Sequence, residues 1–439
     1  VERPALACVS AALAAAGIEA HDGPPRGAGV LLVQGAAPGA ATPLPLPADA
    51  LPVVVALGCD TLPSGLVWQW LEAGAIDVRC WATPEGGAAA VADLAALLRR
   101  QHEVQALLET PRVREALAGR SPAWLSTLRS VAEAAAFSDA PVLVTGDTGT
   151  GKEQLARLVH ELGPRAETGR FVVLDCTTVA PELAGSEFYG HERGAFTGAA
   201  APRDGAFALA HRGTLFLDEV GELGASMQAQ LLRVIQEGQF KRLGSNTWQD
   251  SDFRLVCATH RDLEAAVAAG RFRADLYHRI AGWRCRTPPL AERREDILPL
   301  ADLFLRQCSG RAQAPPLAPA VREWLLAREY PGNVRELRQL VLRLWHRHAG
   351  NGPITAGDVP VLERPHGGAP RWPNREFEAA VAQAVDFGIG LRQITQHAAD
   401  LAVRTAMERE GDNVHRAAAR LGVTDRALQI RRKEQRAVP

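Results

Sequence analysis

Pro141-Val-Leu-Val-Thr-Gly146-Asp147-Thr148-Gly149-Thr150-Gly151-Lys152-Glu153 is the stretch on which the fold turns. The apolar run predicts a short buried strand, Gly146 to Glu153 a glycine-rich loop, and Gln154 to Leu162 a helix. A strand–GxxxxGK–helix unit suits phosphate. Its glycines let backbone N–H groups turn inward around phosphate oxygens, and the helix N-terminus adds positive potential. Lys152 can reach the β- and γ-phosphates as a point charge. All eight residues from Gly146 to Glu153 are therefore expected around ATP, although Glu153 stands where Ser or Thr usually helps hold Mg²⁺.

Such a site needs an acidic strand end, and Gly213-Thr-Leu-Phe-Leu-Asp218-Glu219 supplies one. Asp218 is expected to orient Mg²⁺ and its waters, and Glu219 to position or polarise the attacking water. Around these motifs, residues 121–289 repeat strand then helix, which predicts a parallel sheet with helices on both faces. Residues 290–362 read as mainly helical. Residues 363–376, with three prolines and two glycines, read as a linker, and 377–439 as helical and basic. Upstream, 1–103 alternates strand and helix, and 104–120 reads as a helical connector. The fold class expected is α/β with an all-α C-terminal part.

Gly190-His-Glu-Arg-Gly194-Ala195-Phe196-Thr197-Gly198-Ala199 is the most specific segment. It resembles the GAFTGA signature of sigma-54-dependent activators, the bacterial enhancer-binding proteins, a branch of the AAA+ ATPases. The resemblance covers about 141–340 closely and the C-terminal tail more loosely. It implies an AAA+ P-loop domain with a helical lid, assembly as a ring (a hexamer as a rule), and contact of Gly194, Ala195, Phe196, Thr197, Gly198 and Ala199 with sigma-54 RNA polymerase. Glycines flanking an apolar tip residue fit a partner surface. Phe272-Arg273-Ala-Asp-Leu-Tyr-His-Arg279 resembles the segment with the family's arginine fingers, so Arg273 and Arg279 are expected at a neighbouring subunit's γ-phosphate. Tyr330-Pro-Gly-Asn-Val-Arg335 resembles its sensor II motif, with Arg335 touching nucleotide from the lid, and 240–244 sits where the family has a second pore loop. Two positions depart: Asp175 and His260 each stand where most members have Asn. A pair of carboxylates at Asp175 and Glu219 would raise one pKa, and pairing of His260 with Asp175 would relieve that repulsion.

The N-terminal segment resembles a degenerate phosphorelay receiver. Gln34 then occupies the phosphoacceptor Asp position and Trp81 the Lys position, and the usual acidic pair, which would lie before or near residue 1, is not visible. Gln34 cannot form an acyl-phosphate, so control through a protein or ligand contact is expected. At the other end, Val414, Ala417, Ala418 and Leu421 make one apolar helix face, Gly422-Val423 a turn, and Thr424 the cap of a second helix in which Ala427 and Leu428 face inward. This is a helix-turn-helix, and 412–424 resembles the Fis-type domain of many sigma-54 activators. From Val414 to Arg436 there are seven Lys/Arg against two Asp/Glu, pointing to double-stranded DNA. Gln429 is the expected base reader. Arg416, Arg420 and Arg431 are expected at phosphates, with Thr424, Arg426 and Arg432 on the same DNA-facing element. The resemblance implies that the preceding helix, 398–410, pairs two chains.

The bulk numbers agree with a water-exposed regulator. Of 439 residues, 47% are hydrophobic and 23% charged, net charge −1, and no apolar run reaches the roughly 20 residues that span a bilayer. The Ala-rich stretch 5–18 reads as an ordinary helix, since Glu2 spoils a signal peptide's positive start. Seven scattered cysteines without a CxxC pair indicate neither zinc nor disulfides, and a bacterial cytoplasm is expected. Two alternatives compete with an ATP-driven activator: a DNA-binding regulator whose vestigial ATPase is a scaffold or repressor, and an AAA+ enzyme of another branch, such as a replication initiator or helicase loader.

Overall fold

The computed structural model describes residues 13–14, 27–34, 50–57, 59, 61–81, 87–111, 113, 117–180, 182–311, 313–364, 375–411 and 413–429. The chain forms two compact units, 1–363 and 364–439.

The first unit begins with a parallel sheet in the order β1 (Gly27–Gln34), β2 (Ala50–Leu57), β3 (Asp77–Trp81). Helix α1 (Ser64–Glu72) joins β2 to β3, and α2 (Gly87–Glu109) follows β3. Side chains alternate along β2 as strand geometry requires. Val53 and Val55 pack with Trp81, Val91 and Leu94, while Val54 packs with Trp70 and Ala75 on the other face. Helix α2 runs unbroken through residue 103, so the connector continues this layer's last helix.

After α3 (Pro122–Phe137) comes the central sheet. Its elements are β4 (Val142–Thr145), α4 (Lys152–Leu162), β5 (Phe171–Asp175), α5 (Ala184–Tyr189), the short pair β6 (Gly190–His191) and β7 (Arg203–Asp204), and α6 (Ala206–Leu209). There follow β8 (Thr214–Asp218), α7 (Ala225–Glu237), the pair β9 (Gln239–Phe240) and β10 (Gln249–Asp250), β11 (Arg254–Thr259), α8 (Leu263–Ala268), α9 (Ala274–Ile280) and β12 (Trp283–Arg286). The order β12-β4-β11-β8-β5 is parallel throughout. Both faces are covered, so the strands are nearly continuous apolar runs. Leu215, Leu217, Leu143 and Cys257 enter one core with Phe188, Phe207 and Leu231; Phe216, Val142, Val144, Val256 and Ala258 enter the other with Trp124, Leu155 and Val159. Because β11 lies between β4 and β8, the C-terminal ends of these three strands converge on one edge, the place where parallel α/β sheets bind ligands.

The rest of this unit is helical: α10 (Ile297–Ser309), α11 (Pro319–Ala327) and α12 (Asn333–Arg347) enclose Leu300, Leu305, Leu325, Leu337 and Leu344. A buried carboxylate ties this layer to α3. Asp296 accepts from Ser121 Oγ (2.6 Å), Ser121 N (2.9 Å) and Arg120 N. Arg293 lies over the Trp124 ring and donates to Thr150 O at 2.8 Å. Burial pushes its guanidinium down to about 10, against the opposing pull of Asp296.

The second unit is α13 (Arg375–Asp386), α14 (Leu391–Arg409), α15 (Val414–Leu421) and a helix over 425–429. Val403, Ala406 and Met407 pack on Ala417, Ala418 and Leu428, with Val414 and Leu421 at the edge. Asn413 caps α15 by accepting from Arg416 N, Gly422 ends it at φ 66°, and Thr424 Oγ1 accepts from Ala427 N. One expectation is corrected: Leu428 is buried but Ala427 is exposed. The tight Gly422 turn rotates the second helix so that a single position of its first turn reaches the small core.

Candidate functional site

The loop after β4 closes on its own lysine. Lys152, almost fully buried, donates to Gly146 O (2.9 Å) and Asp147 O (3.3 Å) and pairs with Glu219 Oε1 at 3.3 Å. Two glycines are required by space as well as by dihedral angle. A Cβ at Gly146 (φ 148°) would lie 2.0 Å from Thr287 Oγ1, and one at Gly149 (φ 79°) 2.4 Å from Gly332 O. Thr150 is buried with its hydroxyl donating to Asp147 O and facing Thr287 Oγ1, which fixes the loop from beneath. Asp147 and Thr148 are exposed at its rim. Glu153 corrects the sequence reading: its carboxylate turns outward to Arg157 Nε and a terminal guanidinium nitrogen (3.1 and 2.7 Å), the i,i+4 pairing of an exposed helix face, so its side chain does not line the site.

At the end of β8, Asp218 Oδ1 accepts from Glu219 N (3.0 Å). Burial, then the neighbouring Glu219 charge, raises the Asp218 carboxyl above its ordinary range. Glu219 sits at φ 51°, ψ 50°, a left-handed conformation costing a non-glycine residue about 1–3 kcal/mol. What holds it is a double contact: His260 N (3.0 Å) and His260 Nδ1 (2.7 Å) both meet Glu219 Oε2, while Lys152 faces Oε1. Burial alone would raise the Glu219 carboxyl, but the His260 hydrogen bonds and Lys152 outweigh it and leave it below the ordinary range.

His260 therefore pairs with Glu219 rather than Asp175. Asp175 instead accepts from Thr177 N (2.9 Å) and Thr177 Oγ1 (2.7 Å), a local turn available to any Asp two residues before a Thr. Changing Asp175→Asn and His260→Asn singly and together should alter turnover additively, within about 0.5 kcal/mol. A larger coupling in steady-state hydrolysis would restore the Asp175–His260 pairing.

A nucleotide and a divalent cation fit this edge. Burial, then the charges of Asp175, Asp218 and Glu219, push the Cys176 thiol up to about 12, so the strand ends carry a negative field that a cation would neutralise. One carboxylate plus water and phosphate oxygens is the coordination Mg²⁺ favours. Above the loop, Arg335 N donates to Gly149 O (3.2 Å) and its side chain is exposed at the start of α12. Sequence reasoning missed Asn333, which is buried at φ 52°, donates to Thr148 O (3.1 Å) and accepts from Leu290 N (2.8 Å). With Arg293 it makes the helical layer register the position of the phosphate loop. A Gly-Asn pair opening a helix was the available signal.

Arg273 and Arg279 lie exposed at the two ends of α9. Arg273 pairs with Asp275 (2.7 Å), and Arg279 reaches Ile235 O at 3.5 Å. The 194–199 segment rises from the β6/β7 pair as a self-closed turn: Gly194 N donates to Ala199 O (2.9 Å) and Ala199 N to Phe196 O (3.0 Å), with Gly194 and Gly198 at φ 81° and 102°. Thr197 is exposed, Ala195 half-buried and Ala199 buried. Phe196 is 39% exposed and meets the His191 ring edge-on at 4.9 Å. The loop is strapped to its neighbour: Glu192 N donates to Leu243 O, Leu243 N to Gly190 O, and Arg242 bridges Glu192 and Asp204.

Comparison with known proteins now bears on this geometry. The profile of the sigma-54 interaction domain matches residues 117–285, and that of an AAA+ ATPase lid domain matches 291–365. The chain is 39% identical over 328 residues to the transcriptional regulatory protein ZraR of Klebsiella oxytoca, covering 73% of this chain and 69% of that one. It belongs to the sigma-54-dependent activators. This activator is also 40% identical over 332 residues to the anaerobic nitric oxide reductase transcription regulator NorR of Aeromonas salmonicida, over 71% of its own length and 64% of NorR. Solved structures of NtrX from Brucella abortus, one in complex with ADP and one with ATP, resemble it with a TM-score of 0.51 at 26% and 27% identity, over 88% and 87% of this chain and 83% of each NtrX chain. The family and its α/β P-loop fold with a helical C-terminal part are thus established. Among the described residues of this activator, no helix is long and apolar enough to cross a membrane.

In the second unit, Arg416 and Arg420 both grip Glu410 at 2.8 Å, and that carboxylate is only 9% exposed. The two guanidinium groups stay largely in solvent, but one nitrogen of each, a terminal one of Arg416 and Nε of Arg420, is already committed. Thr424, Arg426 and Gln429 are exposed. Arg431 and Arg432 lie outside the described residues.

Proposed function

We propose that the chain hydrolyses ATP with Mg²⁺ to remodel the closed complex of sigma-54 RNA polymerase, and that it binds upstream double-stranded DNA through its C-terminal helices. The observation that carries this reading is the convergence of Lys152, Asp218, Glu219 and His260 at one sheet edge, in a chain that also presents Phe196 and Thr197 at a loop tip. The loop N–H groups and Lys152 hold the phosphates, and Asp218 would hold Mg²⁺, whose charge would offset that of the phosphates. Glu219 orients and polarises the attacking water, and Arg335 senses the nucleotide from the lid. Because Arg273 and Arg279 project from the surface, their phosphate partner belongs to the next subunit, which makes a ring (a hexamer, as the family implies) the active form. On turning to phosphate Lys152 gives up its pairing with Glu219 while keeping the loop carbonyls; that release frees one carboxylate oxygen, and Glu219 stays bound through His260 to the end of β11. Displacement at the strand ends is carried to the strapped loops at 190–199 and 239–250, so that Phe196 moves against sigma-54.

NtrX is named with ADP and ATP bound, which supports the nucleotide assignment. The N-terminal sheet is proposed as a degenerate receiver that acts by contact rather than phosphorylation. The reading is tested by ATP-dependent open-complex formation with sigma-54 polymerase. Thr197→Ala should abolish open complexes while ATP hydrolysis stays within a few-fold of wild type. Open complexes formed at the wild-type rate by that variant would overturn it. A second reading, a scaffold with a vestigial ATPase, has one observation behind it: the Glu219 carboxylate is doubly held and below its ordinary range, which weakens it as a base. A wild-type protein that binds ATP but releases no phosphate would favour it.

A further inference from the structure

We infer that Asp425, steadied by His415, reads a cytosine in the major groove; this rests on the DNA-binding reading above. Asp425 is in the first turn of the helix over 425–429, the part of a recognition helix that meets base edges. Its Oδ2 meets His415 Nδ1 from α15 at 2.9 Å, and among the described residues Oδ1 has no partner. A carboxylate in a helix's first turn also suits the helix dipole, and an exposed pair of this kind adds little to stability. Neither consideration explains why a second side chain reaches across from the preceding helix to fix the rotamer. That contact sets one oxygen and leaves the other unengaged among the described residues, on a half-exposed side chain of the helix that also exposes Arg426 and Gln429.

A negative group brought to DNA is repelled by phosphate unless it finds a donor. In the major groove the donors are the cytosine N4 and adenine N6 amino groups. Adenine places the N7 acceptor beside N6, which a carboxylate cannot satisfy, whereas cytosine has no acceptor on that side. Asp425 Oδ1 therefore selects cytosine. Arg426, exposed and adjacent, has the donor fork that suits a guanine in the same or the next base pair. His415 is a positioning residue here, acting through Asp425.

The test is selection of the full-length protein on a random-sequence duplex library, followed by affinities for the enriched site and its single-base variants. Wild type should enrich a site with cytosine at one fixed position per half-site. Asp425→Ala and Asp425→Asn should lose discrimination there by about 10- to 100-fold, with the other positions kept. His415→Ala should give a smaller loss at the same base pair and no change in the salt dependence of binding, since no phosphate contact is removed. Variants that enrich the wild-type site overturn the assignment. So does a uniform gain in affinity on removing the carboxylate, which would make it merely repulsive. A wild type that enriches no sequence sinks the DNA-reading itself and this assignment with it. Asp425→Asn keeps the shape and first-turn polarity, and an unchanged melting temperature for it excludes unfolding as the cause of any loss.

Discussion

Glu219→Gln is expected to lower ATP turnover by about 10²- to 10⁴-fold, the usual span for loss of a positioned general base, while nucleotide affinity stays close to wild type. The amide is nearly the same shape and its oxygen can still accept from His260 N, so the left-handed turn at 219 should persist. What disappears is the charge that polarises water. Lys152 loses an anionic partner at 3.3 Å, but it keeps the carbonyls of Gly146 and Asp147 and gains phosphate when nucleotide binds. Phosphate release paired with a direct nucleotide-binding titration separates the two effects. A variant that hydrolyses within a few-fold of wild type would remove Glu219 from the chemistry.

Arg279→Ala and Arg273→Ala should each cost about 10³- to 10⁵-fold in turnover, the range for an arginine that offsets transition-state charge. Neither side chain makes a contact on which the fold depends. Arg279 touches one carbonyl at the edge of hydrogen-bond range, and Arg273 forms an exposed pair with Asp275. The distinctive outcome lies in mixtures. Subunits carrying Glu219→Gln and subunits carrying Arg279→Ala are each inactive alone. Mixed, they form interfaces that join an intact Glu219 to an intact Arg279, and part of the activity should return. A mixture as inactive as its components would place the arginine in its own subunit's chemistry or outside the chemistry altogether.

What the sequence made legible was local. The strand–loop–helix around Lys152 and the acidic end of β8 are set by consecutive residues with a strand period and a glycine-rich turn, and both appear where expected. The same holds for the Gly422 turn that ends α15 and for the Thr424 cap that follows it. What was not legible depends on register between distant strands. His260 reaches Glu219 across 41 residues because Cys257 pairs with Leu217 when β11 lies against β8, and no spacing in the chain announces that alignment. Asn333 and Arg293 are similar: their partners in the phosphate loop are 185 and 143 residues away. Glu153 misled for the opposite reason. Its place in the motif put it with the residues around nucleotide, but a local Arg157 on the same helix face claims its carboxylate. Arg416 and Arg420 read as free cations, yet the nearly buried carboxylate of Glu410, just past α14, pairs with both.

The central claim is that nucleotide turnover moves the Phe196 loop against sigma-54. The most direct measurement is complex formation between the purified protein and sigma-54 in the presence of ADP and aluminium fluoride, a mimic of the transferring γ-phosphoryl group. A stable complex should form with the mimic, be absent with ADP alone, and be lost in Phe196→Ala. If the mimic yields no complex, or the same complex forms without any nucleotide, the loop is not driven by the ATPase and the account fails.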